Sequence, residues 1–179
     1  MCNLPKVQTD KMKKMTTFVL ILTAVATALI AGLFYAYSCS VNPGLGKLSD
    51  EAYILAMQSI NRAILNPVFF ASFMGTLVLL PVSTWLQYRS GGASTVFYFL
   101  FAATIIYAVG TFGVTMVKNV PLNEALDRFN VKSATTEEIA RQRQLFQIPW
   151  NYFNNIRTIA NIVSLVLVII ACVNVSTEK

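Results

Sequence analysis

The chain has 179 residues, of which 55% are hydrophobic and only 12% charged, against roughly a quarter charged in an ordinary soluble domain. With a mean hydropathy of +0.58, it reads as one folding unit that belongs in a bilayer. No His is present, which excludes a Ser-His-Asp triad, a Cys-His dyad and any imidazole-ligated metal or haem within this chain. The formal charge of +6 forms no basic stripe with interleaved aromatics, so nucleic acid is not an expected partner.

Lys6, Lys11, Lys13 and Lys14 precede the first apolar run, the placement of charges retained on the cytoplasmic side. Residues 1–15 read as a cytoplasmic tail. The run that follows is too long for the apolar core of a signal peptide, and Tyr35 and Tyr37 near its end make a poor cleavage site. Charge-free intervals at 15–46, 63–88, 90–117 and 158–177 each supply the ~20 apolar residues needed to cross ~30 Å of hydrocarbon. They predict transmembrane helices near 16–38, 67–87, 94–117 and 151–173, a transmembrane domain over 16–174 and a short C-terminal tail at 175–179.

Between the first two spans, Asp50 is expected to cap a helix reaching about Leu65, with Ile54, Met57, Ile60, Ala63 and Ile64 at helical spacing. Asn66 and Pro67 then supply an N-cap and a first-turn proline. Pro81 should kink the second span, and Arg89-Ser90-Gly91-Gly92 is a tight turn into the third. After the third span, Pro121 predicts a defined turn. Thr135 and Glu138 have capping-box spacing for a helix expected to stop before Pro149. The fold expected is all-α, a four-transmembrane-helix bundle with two partly helical loops capping one face. Because spans alternate, both loops lie opposite the termini, and the lysine-rich start predicts N-in and C-in topology in a plasma (inner) membrane. Basic residues in the last loop, among them Lys118, Arg128, Arg141 and Arg143, vote the other way, although Glu124, Asp127, Glu137 and Glu138 accompany them. Val41-Asn42-Pro43-Gly44-Leu45 and Asn119-Val120-Pro121-Leu122-Asn123 occupy matching places after the first and third spans, as duplication of a helical hairpin or chance in a biased composition would both produce.

Trp150, Asn154, Arg157 and Asn161 stand at i, i+4, i+7 and i+11, on one narrow helical stripe. Two readings stand side by side. The stripe faces a polar interior or the capping loops, because such groups are costly against lipid, or Arg157 snorkels to headgroups while the amides cement packing. Gln58, Asn61 and Arg62 share a face of the first loop helix, as a contribution to the same site or as a solvated surface. Asn119 and Asn123 flank Pro121, as ligand contacts or as a helix terminator. No catalytic residue emerges. The eight acidic residues all lie in loops or tails, which disfavours a proton-coupled carrier. The three cysteines, Cys2, Cys39 and Cys172, are scattered and suggest no disulfide framework. Ala24, Ala28, Gly32 and Ala36 form a row of small residues that permits close helix contact, including between copies of the chain.

Four pieces carry a family resemblance: Ala31-Gly32-Leu33-Phe34-Tyr35-Ala36-Tyr37-Ser38 with Asn42-Pro43-Gly44-Leu45, Gln58-Ser59-Ile60-Asn61-Arg62 to Asn66-Pro67, Asn119-Val120-Pro121-Leu122-Asn123, and Trp150-Asn151 through Arg157-Thr158. In this order they resemble the anthrone oxygenase-like family of small membrane proteins. The resemblance implies a four-span fold and, from a few fungal members, cofactor-independent oxygenation of an anthrone to an anthraquinone. A histidine base, if that chemistry uses one, is lacking here. Two functions are therefore carried forward. One is an oxidoreductase pocket under the outer cap for a hydrophobic small molecule or lipid, with Arg157 and Asn154 or Asn119 stabilising oxyanion charge. The other is a non-catalytic structural or partner-binding membrane protein.

Overall fold

Each apolar interval becomes a helix long enough to cross a membrane, Met12–Leu45, Pro67–Gly91, Thr95–Asp127 and Thr136–Val175, and the chain is an integral membrane protein. The computed structural model describes residues 6–177, with side-chain surroundings from 12 to 175, and has no strand among them. Cys2, the side chains of Lys6 and Lys11, and the end of the C-terminal tail lie outside the described residues.

Helix α1 (Lys6–Ala36) continues through a π-helical turn, Tyr37–Val41, into the short α2 (Asn42–Leu45). Next come α3 (Asp50–Ala63) and α4 (Pro67–Gly91). A turn at Gly92, with φ of 70°, a conformation that favours glycine, returns the chain into α5 (Thr95–Ile106). Two further π-helical segments, Tyr107–Gly113 and Thr115–Asn119, lead into α6 (Val120–Asp127), and α7 (Thr136–Thr177) is a single rod of 42 residues. At ~1.5 Å per residue that rod is about 60 Å long, roughly twice the hydrocarbon thickness. The rod is longer than one crossing needs, and its N-terminal part carries Phe146 and Trp150 into the core of the cap.

Two caps form as their residue types dictate. Asn66 accepts the Phe69 N–H at 3.0 Å. Glu138 donates its backbone N–H to Thr135 Oγ1 while accepting that of Thr135. At the first loop helix the cap is Ser49, which accepts from the Ala52 N–H, and not Asp50. Asp50 is instead the first helical residue, where its carboxylate suits the helix N-terminus and meets Arg143.

Two prolines expected to end helices do not. Pro149 lies inside α7. The buried side chains of Phe146 and Trp150 straddle it and stack at 6.1 Å in the cap core, burial that offsets the ~3 kcal/mol such a proline costs. Leu145, whose carbonyl loses its N–H partner, is on an exposed face. Pro121 is also helical, because the preceding π-helical turn, closed by the Val120 N–H on the Thr115 carbonyl, delivers it to the first turn of α6, where no N–H is required. Pro43 follows the π-helical turn Tyr37–Val41 in the same way. The two matching sequence pieces thus share a local geometry. Pro81 likewise sits inside an unbroken α4.

The start of the first span, the α4–α5 turn and the end of α7 meet around Lys13, Lys14, Gln87, Ser90 and Val175. At that end and through the span, Leu20, Ile30, Phe73, Leu100 and Val168 form the intramembrane core. Hydroxyls that lipid cannot hydrate pair internally: Thr23 with Ser83 at 2.7 Å, Thr84 with Thr104 at 3.1 Å, and Tyr107 with the Phe73 carbonyl at 2.8 Å. In the small-residue row of α1, Ala28 and Gly32 are exposed, while the neighbouring face of Thr23, Thr27, Ile30 and Ala31 packs inward.

At the other end, Tyr53, Ile54 and Met57 of α3 meet Leu126, Val131, Phe146 and Trp150 in a second core. Arg143 clips this cap together. It donates to the Gly46 and Leu48 carbonyls, Asp50 Oδ1 and Gln147 Oε1, each at 2.8 Å, and lies 4.6 Å above the Tyr53 ring. Burial pushes the Tyr53 phenol up to about 12, with Arg143 pulling the other way. The stability from this neutral phenol is present below its unfolded value near 10 and is lost as pH rises towards 12.

Replacing Arg143 by Leu is expected to loosen the segment from Gly46 to Tyr53 by about 1.5 to 3 kcal/mol, the worth of hydrogen bonds to a charged group. Faster amide hydrogen exchange there, with the spans unchanged, is the measurement. Inside the bundle, a Cβ added at Gly110 would stand 2.7 Å from the Ala160 Cβ. Gly110→Ala should therefore cost about 1 to 3 kcal/mol through overpacking and lower the unfolding midpoint in detergent. Gly75→Ala, where nothing lies within 4 Å, should not.

Candidate functional site

The polar stripe of α7 turns inward. Trp150, Asn154, Arg157 and Asn161 are all buried, Arg157 at 5% exposure, while Tyr152, Ile159 and Ile162 are exposed. Hydrocarbon dictates this orientation, since a guanidinium and two carboxamides facing lipid would go unpaired.

Three spans hold the guanidinium. Its carbon lies 4.4 Å from the ring centre of Phe34 on α1 and 5.4 Å from that of Trp150, both within cation–π range. Nη2 donates to Asn154 Oδ1 at 3.0 Å and Nη1 to Thr115 Oγ1 at 3.3 Å. Asn154 is itself fixed, donating through Nδ2 to Ser38 Oγ at 3.0 Å, and Ser38 pairs with Thr158 at 2.8 Å. Asn161 Nδ2 donates back to the Arg157 carbonyl. Trp150 is set by its Nε1–H on Asn123 Oδ1 at 2.8 Å and by Asn119 Nδ2 on its carbonyl. Ser38 and Thr115 each belong to a π-helical turn, a local form that recurs at functional sites.

Beside the guanidinium lies a cavity of about 130 Å³. Leu33, Phe34, Phe69, Phe73 and Met74 form its apolar wall, and Tyr37, Asn61, Asn123, Trp150, Asn154 and Arg157 form its polar end. The rim residues Leu65, Phe70 and Met116 are exposed, so the mouth lies between the corner joining α3 to α4 and the end of the third span. Among the described residues, no three His, Cys, Asp or Glu side chains converge as a metal site would require.

Five of the residues singled out in the sequence, Asn61, Asn123, Trp150, Asn154 and Arg157, meet in this lining. Asn119 and Asn161 are buried beside it. Gln58 and Arg62 are elsewhere. Gln58 Nε2 donates to the Leu126 and Phe129 carbonyls, tying α3 to the end of α6, and Arg62 pairs with Asp127 on the surface of the cap. The loops do not hold Arg157. Its partners come from the spans, because the third helix continues past the expected turn and carries Thr115 to it. Sequence reasoning missed Phe34, Tyr37, Ser38 and Thr115. The first three stand at i, i+3 and i+4, a spacing that marks one helical face, whereas Thr115 depends on a π-helical turn that no residue pattern announces.

No curated protein and no solved structure matches the chain. Residues 68–167, which run from the second span through the polar stripe, match the family model described as anthrone oxygenase. That match covers more than half of the chain, which thus belongs to the anthrone oxygenase-like family.

Proposed function

We propose that the cavity binds a flat hydrophobic small molecule with an oxygen against Arg157, and that the protein carries out cofactor-free oxygenation of the anthrone type. The observation that carries the reading is a buried guanidinium, ringed by Phe34 and Trp150, at the polar end of an otherwise apolar cavity. Family membership supports it. In such a reaction an anthrone methylene becomes a carbonyl. Dioxygen supplies the new oxygen atom, and its second atom leaves as water with the two methylene hydrogens. As the existing carbonyl gains enolate character, Arg157, positioned by Asn154, stabilises the developing charge in a water-poor site.

The test is anthrone oxidation by the purified protein in nanodiscs, followed as anthraquinone formation and oxygen uptake. The expected result is acceleration over empty nanodiscs, with one dioxygen consumed per quinone and a loss of about 10² to 10³ in Arg157→Gln, the usual effect of removing an oxyanion donor. Anthrone binding without turnover would favour the second reading, a non-catalytic protein that binds a ligand or partner. That reading draws on Gln58, Arg62 and Asn123, whose polar groups tie elements together.

We also infer that the termini are cytoplasmic and the cap external, in a plasma (inner) membrane, supported by Lys13 and Lys14 at the start of the first span. With the native cysteines replaced by Ser, a cysteine introduced at Ser133 in the exposed 3-10 turn should react with an impermeant maleimide from the outside. Reaction only from the cytoplasmic side would invert the topology.

A further inference from the structure

We infer that the molecule bound in this cavity is an oxyanion when it binds, a carboxylate or phenolate on a flat aromatic body, and that it brings the counter-charge Arg157 lacks. The inference rests on the cavity reading above and specifies its ligand. Arg157 is a cation buried among neutral groups. The ion pairs among the described residues, Arg62 with Asp127, Arg128 with Glu124 and Arg143 with Asp50, all lie in the cap and leave it out, and no Asp or Glu lines the cavity. A buried charge is ordinarily paired, because neutral dipoles recover only part of what hydration supplied.

The hydrogen-bond inventory agrees. A guanidinium carries five N–H donors, and here one Nη reaches a carboxamide oxygen and the other a hydroxyl, while Nε–H has no partner. Asn61 Nδ2, in the lining of the same cavity, is also buried without a partner. Two buried donors without partners and one cation without a counter-charge thus belong to residues that line a space walled mainly by apolar side chains. The wall formed by Phe69 and Phe73, with rings stacked at 5.1 Å and 16°, suits a planar aromatic body.

The same lining is poor in groups that could take a proton. Apart from Arg157, Tyr37 is the one side chain in the lining that ionises at all, and a phenol is a poor proton acceptor near neutrality. A ligand that enters already ionised needs no base there for its O–H proton, while the methylene C–H protons of the oxygenation are a separate transfer. The guanidinium then selects for the charged form.

Equilibrium dialysis with 2-naphthoate and 2-naphthamide tests this, since the two share a frame and differ in charge. The protein is held in phosphatidylcholine nanodiscs, with empty nanodiscs subtracted. Wild type is expected to prefer naphthoate by ~10-fold or more, in keeping with the greater strength of charge-assisted hydrogen bonds. Arg157→Gln should abolish the preference and Arg157→Lys keep part of it. Asn61→Leu, which leaves the guanidinium in place, should weaken naphthoate several-fold and leave naphthamide nearly unchanged. Equal binding of the two probes by wild type, or a preference that survives Arg157→Gln, would overturn the anionic ligand and leave the hydrophobic cavity standing. Binding of neither probe would remove both.

Discussion

A bilayer offers no water to a polar group at depth, and one residue, Arg157, makes that constraint decisive. A guanidinium in the middle of an apolar helix has to find its surroundings inside the protein. Phe34 on the first span, Thr115 on the third, and Trp150 and Asn154 on the fourth supply them. Three of these are positioned in turn, Thr115 by its bond to the Thr111 carbonyl, Asn154 by Ser38, and Trp150 by Asn123. The rotation of three helices about their axes thus follows from where one cation can be tolerated. The cavity is the space left beside it.

The cap obeys a different logic. It has its own apolar core around Tyr53, Met57, Phe146 and Trp150, and there Arg62, Arg128 and Arg143 pair with Asp127, Glu124 and Asp50. Arg143 is held as firmly as Arg157, but by backbone carbonyls and a carboxylate. It is consequently a structural clip, whereas Arg157 retains an unspent donor. Two buried or half-buried arginines on one helix thus play opposite parts, and the difference lies in what each has left to offer.

What the sequence disclosed follows the range of the forces involved. The four spans, the Asn66 and Thr135 caps and the inward stripe of α7 depend on hydropathy and on contacts within a few residues, and these were legible. The continuity of the helices through Pro121 and Pro149 was not. It rests on π-helical turns and on the burial of Phe146 and Trp150 against α3 and α6, which are tertiary effects. For the same reason Gln58 and Arg62 looked like partners of the stripe. Helical spacing places them on one face, but their hydrogen-bonding partners, the Leu126 carbonyl and Asp127, come from the end of α6, a helix whose path the sequence does not mark. Arg143 was seen only as loop charge, because the carbonyls it gathers belong to a turn nearly a hundred residues away.

The unbroken length of α7 imposes an order on how the protein is made. This helix packs against α1, α3, α5 and α6, and it follows the other three spans in the sequence. During synthesis the first three spans enter the membrane before Trp150, Asn154 and Arg157 have left the ribosome. Until α7 arrives, Phe34, Phe73 and Thr115 lack the helix that brings Trp150, Asn154 and Arg157 to the same lining. With α7 come the charge of Arg157 and the cap-core rings of Phe146 and Trp150 on one rod. A chain cut before Trp150 would therefore keep three spans and have no site at all, rather than a weakened version of the finished one.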